Sequence, residues 1–203
     1  RTTAAPDVTQ GAIWAPGVAI RRRQDGGYTV AHGSASDFHV GPDTLRWFYT
    51  FQKAWEMERA NVRLRFGMRG LQELFTRRRW TMDDATPMET VRVLDPKPGA
   101  DRIGEILANM RKAFPALGEV RVAEAWAGMI DVTPDAIPVI SPVDSIPGFF
   151  LSTGYSGHGF GIGPGAGRLT AELVTGAPTC VDPTPFRFSR FADGSAIGYG
   201  GAA

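Results

Sequence analysis

Residues 154–167 read GYSGHGFGIGPGAG, with glycine at 154, 157, 159, 161, 163, 165 and 167, between the β-prone run FFLS and the amphipathic run RLTAELVT. A strand that feeds a glycine-rich loop and opens into a helix leaves backbone amides uncovered by side chains. Such amides can approach an anionic or electron-rich ligand closely. The spacing predicts a helix over 164–175, with Pro164 in its first turn and Gly176 just past its end. Gly159-x-Gly161-x-x-Pro164 does not complete the GxGxxG dinucleotide fingerprint, and the segment lies near the end of the chain instead of after a first strand. By composition alone, a glycine-rich turn that packs a helix onto a sheet stays open as a second reading.

The 203 residues are 43% apolar and 21% charged, an ordinary globular mixture that can bury one or two cores. Twenty-two basic and twenty-one acidic side chains leave a formal charge of +1. That balance gives no long-range field to gather nucleic acid or anionic lipid, so the expected partner is a small molecule. Cys180 is the only cysteine, which excludes an internal disulfide and a thiolate metal cluster and fits a reducing, cytoplasmic compartment. No apolar run reaches the about eighteen residues that span a bilayer, and residues 1–6 lack the apolar core of a signal peptide. The chain starts with Arg1 and enters a strand-like pattern within about a dozen residues, as expected of a segment cut from a longer chain.

Residues 11–20 form an apolar run punctuated by Pro16-Gly17, and residues 28–31 form a second β-rich run after the turn signal Asp25-Gly26-Gly27. Residues 43–59 carry Leu45, Phe48 and Trp55 at helical spacing behind Pro42, which predicts one helix. The alternation VRLRF over 62–66 predicts a half-buried strand with its arginines facing solvent. Leu71, Leu74 and Phe75 suggest a helical turn, and residues 95–98 a linker. Ile103, Ile106, Leu107 and Met110 share one face of a helix over 101–114, which Pro115 ends. Strands are expected at 119–126, 137–140 and 149–152.

The segments TPDAIPVI at 133–140 and PGFFLSTGYSGHGFGIGPGAGRLTAELVTG at 147–176 closely resemble the C-terminal signature of the D-amino-acid oxidase-like flavoproteins, in their amine, amino-acid and opine branch. The resemblance is strong over residues 126–191. It is looser at GAIWAPGVAIRRRQDGGYTVAHG, which looks like the family's substrate-domain hairpin. It implies an α+β fold: an antiparallel-sheet substrate domain with helices at 1–125, then the C-terminal strands and helix of a Rossmann-like FAD domain at 126–203. The Rossmann segment that grips the ADP half of FAD is missing. The resemblance further implies that Gly154, Tyr155, Ser156, Gly157, His158, Gly159, Phe160, Gly161, Ile162 and Gly163 lie against the flavin, with amides mattering more than side chains. A helix N-terminus aimed at the ring would stabilise the reduced, anionic flavin.

Departures from the family pattern refine this. Covalent members have a cysteine shortly before TPD, where this chain reads WAGMIDV, so non-covalent FAD is implied. The Arg-Pro of glycine-oxidase-like members is replaced by Ile130-Asp131, and the lysine that follows SGHGF in sarcosine-oxidase-like members is replaced by Gly161. Both familiar carboxylate anchors are therefore absent here, and oxygen and another electron carrier both stay open as acceptor.

His158 is the candidate for polarising the flavin edge, against a role in fixing the turn. Trp47 and Tyr49 are candidates for an aromatic substrate wall, and Asp131 for pairing with a cationic amine, each against a packing or turn role. His32, His39 and Arg21 to Arg23 read as solvated, and Cys180 as inert. No metal site is expected. The implied activity is oxidation of the C–N bond of an amino acid or secondary amine by hydride transfer to flavin in the full-length protein, the isolated chain being inactive. A non-catalytic subunit or degenerate paralogue, or flavin oxidation of another small substrate, is the alternative. Homo-oligomers or further subunits stay open.

Overall fold

A computed structural model describes residues 1–33 and 36–200, with the Arg69 side chain outside that description. The fold is mixed α and β, with small sheets. By proximity along the folded chain the described residues divide into two units, one holding 1–38, 61–63 and 77–129, the other 39–60, 64–76 and those from 130 onward.

In the first unit, β1 (Ala12–Ala15), β2 (Val18–Arg22) and β3 (Tyr28–Ala31) form an antiparallel meander, with Ile13 opposite Ile20 and Ile20 opposite Val30. Pro16-Gly17 makes the first turn, Gly17 at φ +74, and Asp25-Gly26-Gly27 makes the second. The meander packs on α5 (Ala100–Ala113), burying Val18, Ile20, Tyr28, Met110, Leu117 and Val120. Fully burying side chains of this size stabilises by roughly 1.5–3 kcal/mol each. Tyr28 is completely enclosed, and its hydroxyl donates to the Pro6 carbonyl at 3.0 Å. The strand expected at 119–126 reduces to one bridge, Thr2 to Val122. Its neighbouring amides are satisfied by the first residues of the chain, Ala123 N donating to Arg1 O at 2.9 Å, so an extended ladder has no partner to continue on.

A pair of strands, β4 (Ser36–His39) and β5 (Val62–Arg65), forms a separate sheet. Ser36 N bonds Asn61 O and Val40 N bonds Arg65 O, so the two advance in the same direction. Arg63 is exposed as expected but is held by Glu105 at 3.1 Å and Asp101 at 3.4 Å, while Arg65 is half-buried. The single helix expected at 43–59 is broken into α1 (Pro42–Arg46) and α2 (Gln52–Glu58). The intervening WFYTF run carries aromatic and β-branched residues, whose restricted rotamers make poor helix. Helices α3 (Met68–Phe75) and α4 (Pro87–Thr90) follow. No helix among the described residues is long and apolar enough to cross a membrane.

In the second unit, β6 (Val139–Pro142) and β7 (Phe150–Thr153) pair antiparallel, Val139 opposite Thr153. The last helix, α6 (Gly159–Thr175), lies on this hairpin through buried Ala166 and Leu169 against Ile140, with Tyr155, Leu173 and Phe186 around them. Helix α6 begins five residues earlier than its sequence suggests, so Pro164 is inside it. It ends on Gly176 at φ +68, where Ala177 N donates to Glu172 O at 2.9 Å in a Schellman closure.

Candidate functional site

The start of α6 is poor helix by intrinsic preference. Five glycines and a proline stand among its first nine residues, and together they are on the order of 8 kcal/mol less favourable than alanine. What the sequence keeps in exchange is bare backbone. A Cβ built at Gly157, Gly161 or Gly163 would meet nothing within 4 Å. Among the described residues the amides of Gly159 and Phe160 have no hydrogen-bond partner. Those amides carry the positive end of a 17-residue helix.

The loop that delivers the chain to this point is held from two sides. Asp131 accepts from Gly154 N at 2.7 Å and Thr153 Oγ1 at 2.5 Å, while its carbonyl accepts from Ser156 N at 2.9 Å. Ser156 has φ +51, a left-handed conformation that L side chains adopt at a cost. Its hydroxyl donates to Gly154 O at 3.1 Å and receives the Thr133 amide at 3.2 Å. Thr133 Oγ1 in turn donates to Ile137 O at 2.8 Å. Gly154 is at φ +70, and a Cβ there would lie 2.3 Å from the Thr133 methyl, so both backbone and space demand glycine. His158 N closes the turn on Tyr155 O at 2.8 Å.

Beneath the loop, Asp135 and Arg190 form a buried two-pronged ion pair at 2.7 and 3.0 Å. Arg190 also donates to the carbonyls of Ile137 and Arg187 and stacks 4.1 Å from the Phe191 ring centroid. Four of the five N–H donors of this guanidinium are thus matched, the compensation a buried charge requires.

The structure therefore brings Asp131, Gly154, Tyr155, Ser156, Gly157 and His158 together at one end of α6. Phe160 is fully exposed, Ile162 is exposed, and the His158 ring is exposed at the helix start. The Asp131 carboxylate is engaged with the loop backbone, a holding role. Trp47 and Tyr49 make their ring contacts with Arg46, 5.2 Å, and Phe48, 5.7 Å edge-on, and not with the loop. His32 is near Glu105 at 3.3 Å, and His39 is exposed at the end of β4. Arg22 donates to the Ala5 and Pro6 carbonyls of the N-terminal segment and Arg23 pairs with Asp25 in the turn, so these two are held and not freely solvated. Glu172, hydrogen-bonded beside it, pushes the Cys180 thiol up, away from the thiolate. Thr133 and Arg190 were not singled out by sequence reasoning. TPD was the signal for the first, and nothing in the Pro-rich tail, which also carries Arg187, marked out the second.

The family described as FAD dependent oxidoreductase matches residues 13–173. A D-amino acid dehydrogenase of Paramagnetospirillum magneticum is 35% identical over 96 residues, 47% of this chain and 22% of that protein. A glycine oxidase of Pseudomonas putida is 33% identical over 92 residues, 45% of this chain and 25% of that protein. The chain thus spans about a quarter of the length of the curated relatives it matches. The solved L-amino acid deaminase from Proteus myxofaciens, in complex with anthranilate, aligns with a TM-score of 0.86 over 94% of this chain and 42% of that chain, at 25% identity.

Proposed function

The chain belongs to the family of FAD dependent oxidoreductases, and from that premise we propose that it forms the C-terminal part of an enzyme that oxidises the C–N bond of an amino acid or secondary amine. The observation that carries the reading is the start of α6: two amides with no partner among the described residues, at the positive end of a helix whose neighbouring glycines leave the approach open. That surface fits the electron-rich pyrimidine edge of a flavin. Residues 126–203 supply this flavin side, residues 1–125 the substrate side, and a further segment the pyrophosphate contacts.

FAD, when bound, would supply the electron sink for a hydride leaving the substrate carbon. The chain's own residues do the rest. Gly159 and Phe160 present their amides where negative charge develops in the reduced ring. Gly157 and Gly161 keep the approach clear, and Asp131, Thr133 and Ser156 hold the loop in its strained turn. The His158 ring, at the mouth of the loop, is placed to hold the ring edge or water beside it. Trp47 and Tyr49 are the substrate-side candidates. The resemblance implies a flavin held without a covalent bond, since residues 126–133 lack the cysteine that tethers it in the covalent members. The D-amino acid dehydrogenase and glycine oxidase names of the relatives support an amino-acid substrate.

Anaerobic mixing of the full-length, flavin-loaded protein with a panel of D- and L-amino acids and N-methyl amines tests this directly. Bleaching of the flavin band by at least one of them is expected. A flavin that no amine reduces, yet dithionite does, contradicts the assignment.

A further inference from the structure

Three hydroxyls beside the loop form a chain of hydrogen bonds. Tyr155 Oη lies 2.6 Å from Ser152 Oγ, Ser152 Oγ lies 3.0 Å from Thr170 Oγ1, and Thr170 Oγ1 donates at 2.8 Å to the Ala166 carbonyl. A hydroxyl has a single proton to give. With the proton of Thr170 committed to Ala166, Ser152 donates to Thr170 and Tyr155 donates to Ser152. The proton count therefore fixes one direction for the whole chain, from the loop through β7 into the backbone of α6.

Tyr155 is the member that touches the loop. Its ring packs against the Ile140, Ala166 and Leu169 cluster, its carbonyl receives the His158 amide at 2.8 Å, and a Cβ at Gly159 would lie 3.2 Å from its own Cβ. The residue is thus in contact with the closing turn and with the first residue of α6. Apolar packing holds the ring in a layer but is non-directional. The hydrogen bond at its far end supplies the direction, because Ser152 and Thr170 are fixed to β7 and α6.

We infer that Ser152 and Thr170 are positioning residues that act through Tyr155 to set the angle at which the Gly159 and Phe160 amides face the flavin. This rests on the flavin reading above. None of the three hydroxyls touches the ligand in this scheme, and Thr170 is about 1.7 helical turns past Pro164, outside the glycine loop altogether.

The test uses the full-length, flavin-loaded protein and two readouts: amide hydrogen exchange over residues 154–162, and the flavin midpoint potential. Thr170→Val keeps the shape and removes the hydroxyl, Thr170→Ser restores it, Tyr155→Phe cuts the chain at its head, and Gly161→Val is the control for the flavin reading. Thr170→Val and Tyr155→Phe are expected to speed loop exchange about fivefold, the loss of one net hydrogen bond, and to lower the potential. Thr170→Ser is expected to stay at the wild-type values. Adding Ser152→Ala to Tyr155→Phe should change neither readout further, because the bond through which Ser152 reaches the loop is then already gone. A wild-type potential in Thr170→Val alongside a lowered one in Gly161→Val overturns the positioning role and leaves the flavin reading intact. An unchanged potential in Gly161→Val as well overturns both.

Discussion

Asp135 and Arg190, 55 residues apart in sequence, meet as a buried bidentate ion pair, their side chains 5% and 7% exposed. The pair ties the segment that starts the β6–β7 hairpin to the tail that follows α6. Gly200 N adds a hydrogen bond to the Asp135 carbonyl at 2.9 Å. The loop that carries the proposed site is anchored on this segment through Thr133.

Removing one partner of such a pair strands the other charge in the interior, which costs about 3–5 kcal/mol. Asp135→Asn is therefore expected to lower the unfolding free energy by that amount in a denaturant titration. The double change Asp135→Leu with Arg190→Met should cost less than the two single changes together, since it leaves no unpaired charge. Strict additivity would show that the pair is not coupled.

Asp131 separates two roles that its chemistry allows. As the acceptor for Gly154 N and Thr153 Oγ1 it holds the loop, and Asp131→Asn loses charge-assisted bonds worth about 1.5–3 kcal/mol. The expected result is weaker flavin retention and a shifted flavin potential with KM for the amine changed little. A raised KM with flavin affinity and potential unchanged would instead assign the carboxylate to the substrate amine.

The tail turn that carries Arg190 is pH-sensitive at one named group. Hydrogen bonds from Ser195, then the Arg187 guanidinium at 2.9 Å, hold the Asp193 carboxyl down at about 2. Because the folded value is depressed, the contribution of Asp193 is complete above its ordinary value near 4 and is lost as pH falls toward 2. A carboxyl carbon titration should give a midpoint near 2 for Asp193, raised more by Ser195→Ala than by Arg187→Ala. A midpoint near 4 in the wild type would contradict the geometry.

The glycine loop was legible in the sequence because glycine spacing is a local signal, and so were β3 at 28–31 and the helix at 100–113. The start of α6 was not. Proline is common in the first turn of a helix, which pointed to Pro164, yet the helix begins at Gly159 and accepts the proline in its interior. There Pro164 lacks the amide that would bond the Phe160 carbonyl, a cost of about 3 kcal/mol, and packing of Ala166 and Leu169 on β6 offsets it. The pairs Asp135 with Arg190 and Thr133 with Ser156 were illegible for a different reason. They depend on tertiary pairing across 55 and 23 residues, and neither has a periodicity or a local motif that binds the two partners. The assignment of 119–126 as a strand failed because a local sequence shows at most that a segment can extend, not that a neighbouring strand is there to pair with it, and only the Thr2 to Val122 bridge forms.

The central claim is that the amides at the head of α6 stabilise the reduced flavin, and a comparison of midpoint potentials in full-length Gly161→Val and Gly176→Val tests it most directly. Neither position has an atom within 4 Å of a new Cβ, but Gly176 is at φ +68 whereas Gly161 is helical. Gly176→Val should therefore lose about 1–2 kcal/mol of stability with the flavin potential unchanged. Gly161→Val should fold normally and show a lowered potential, equivalent to about 1.5–3 kcal/mol of lost charge-assisted hydrogen bonding, together with slower reduction by amine. A wild-type potential and reduction rate in folded, flavin-loaded Gly161→Val would contradict the account and leave the loop as a structural turn.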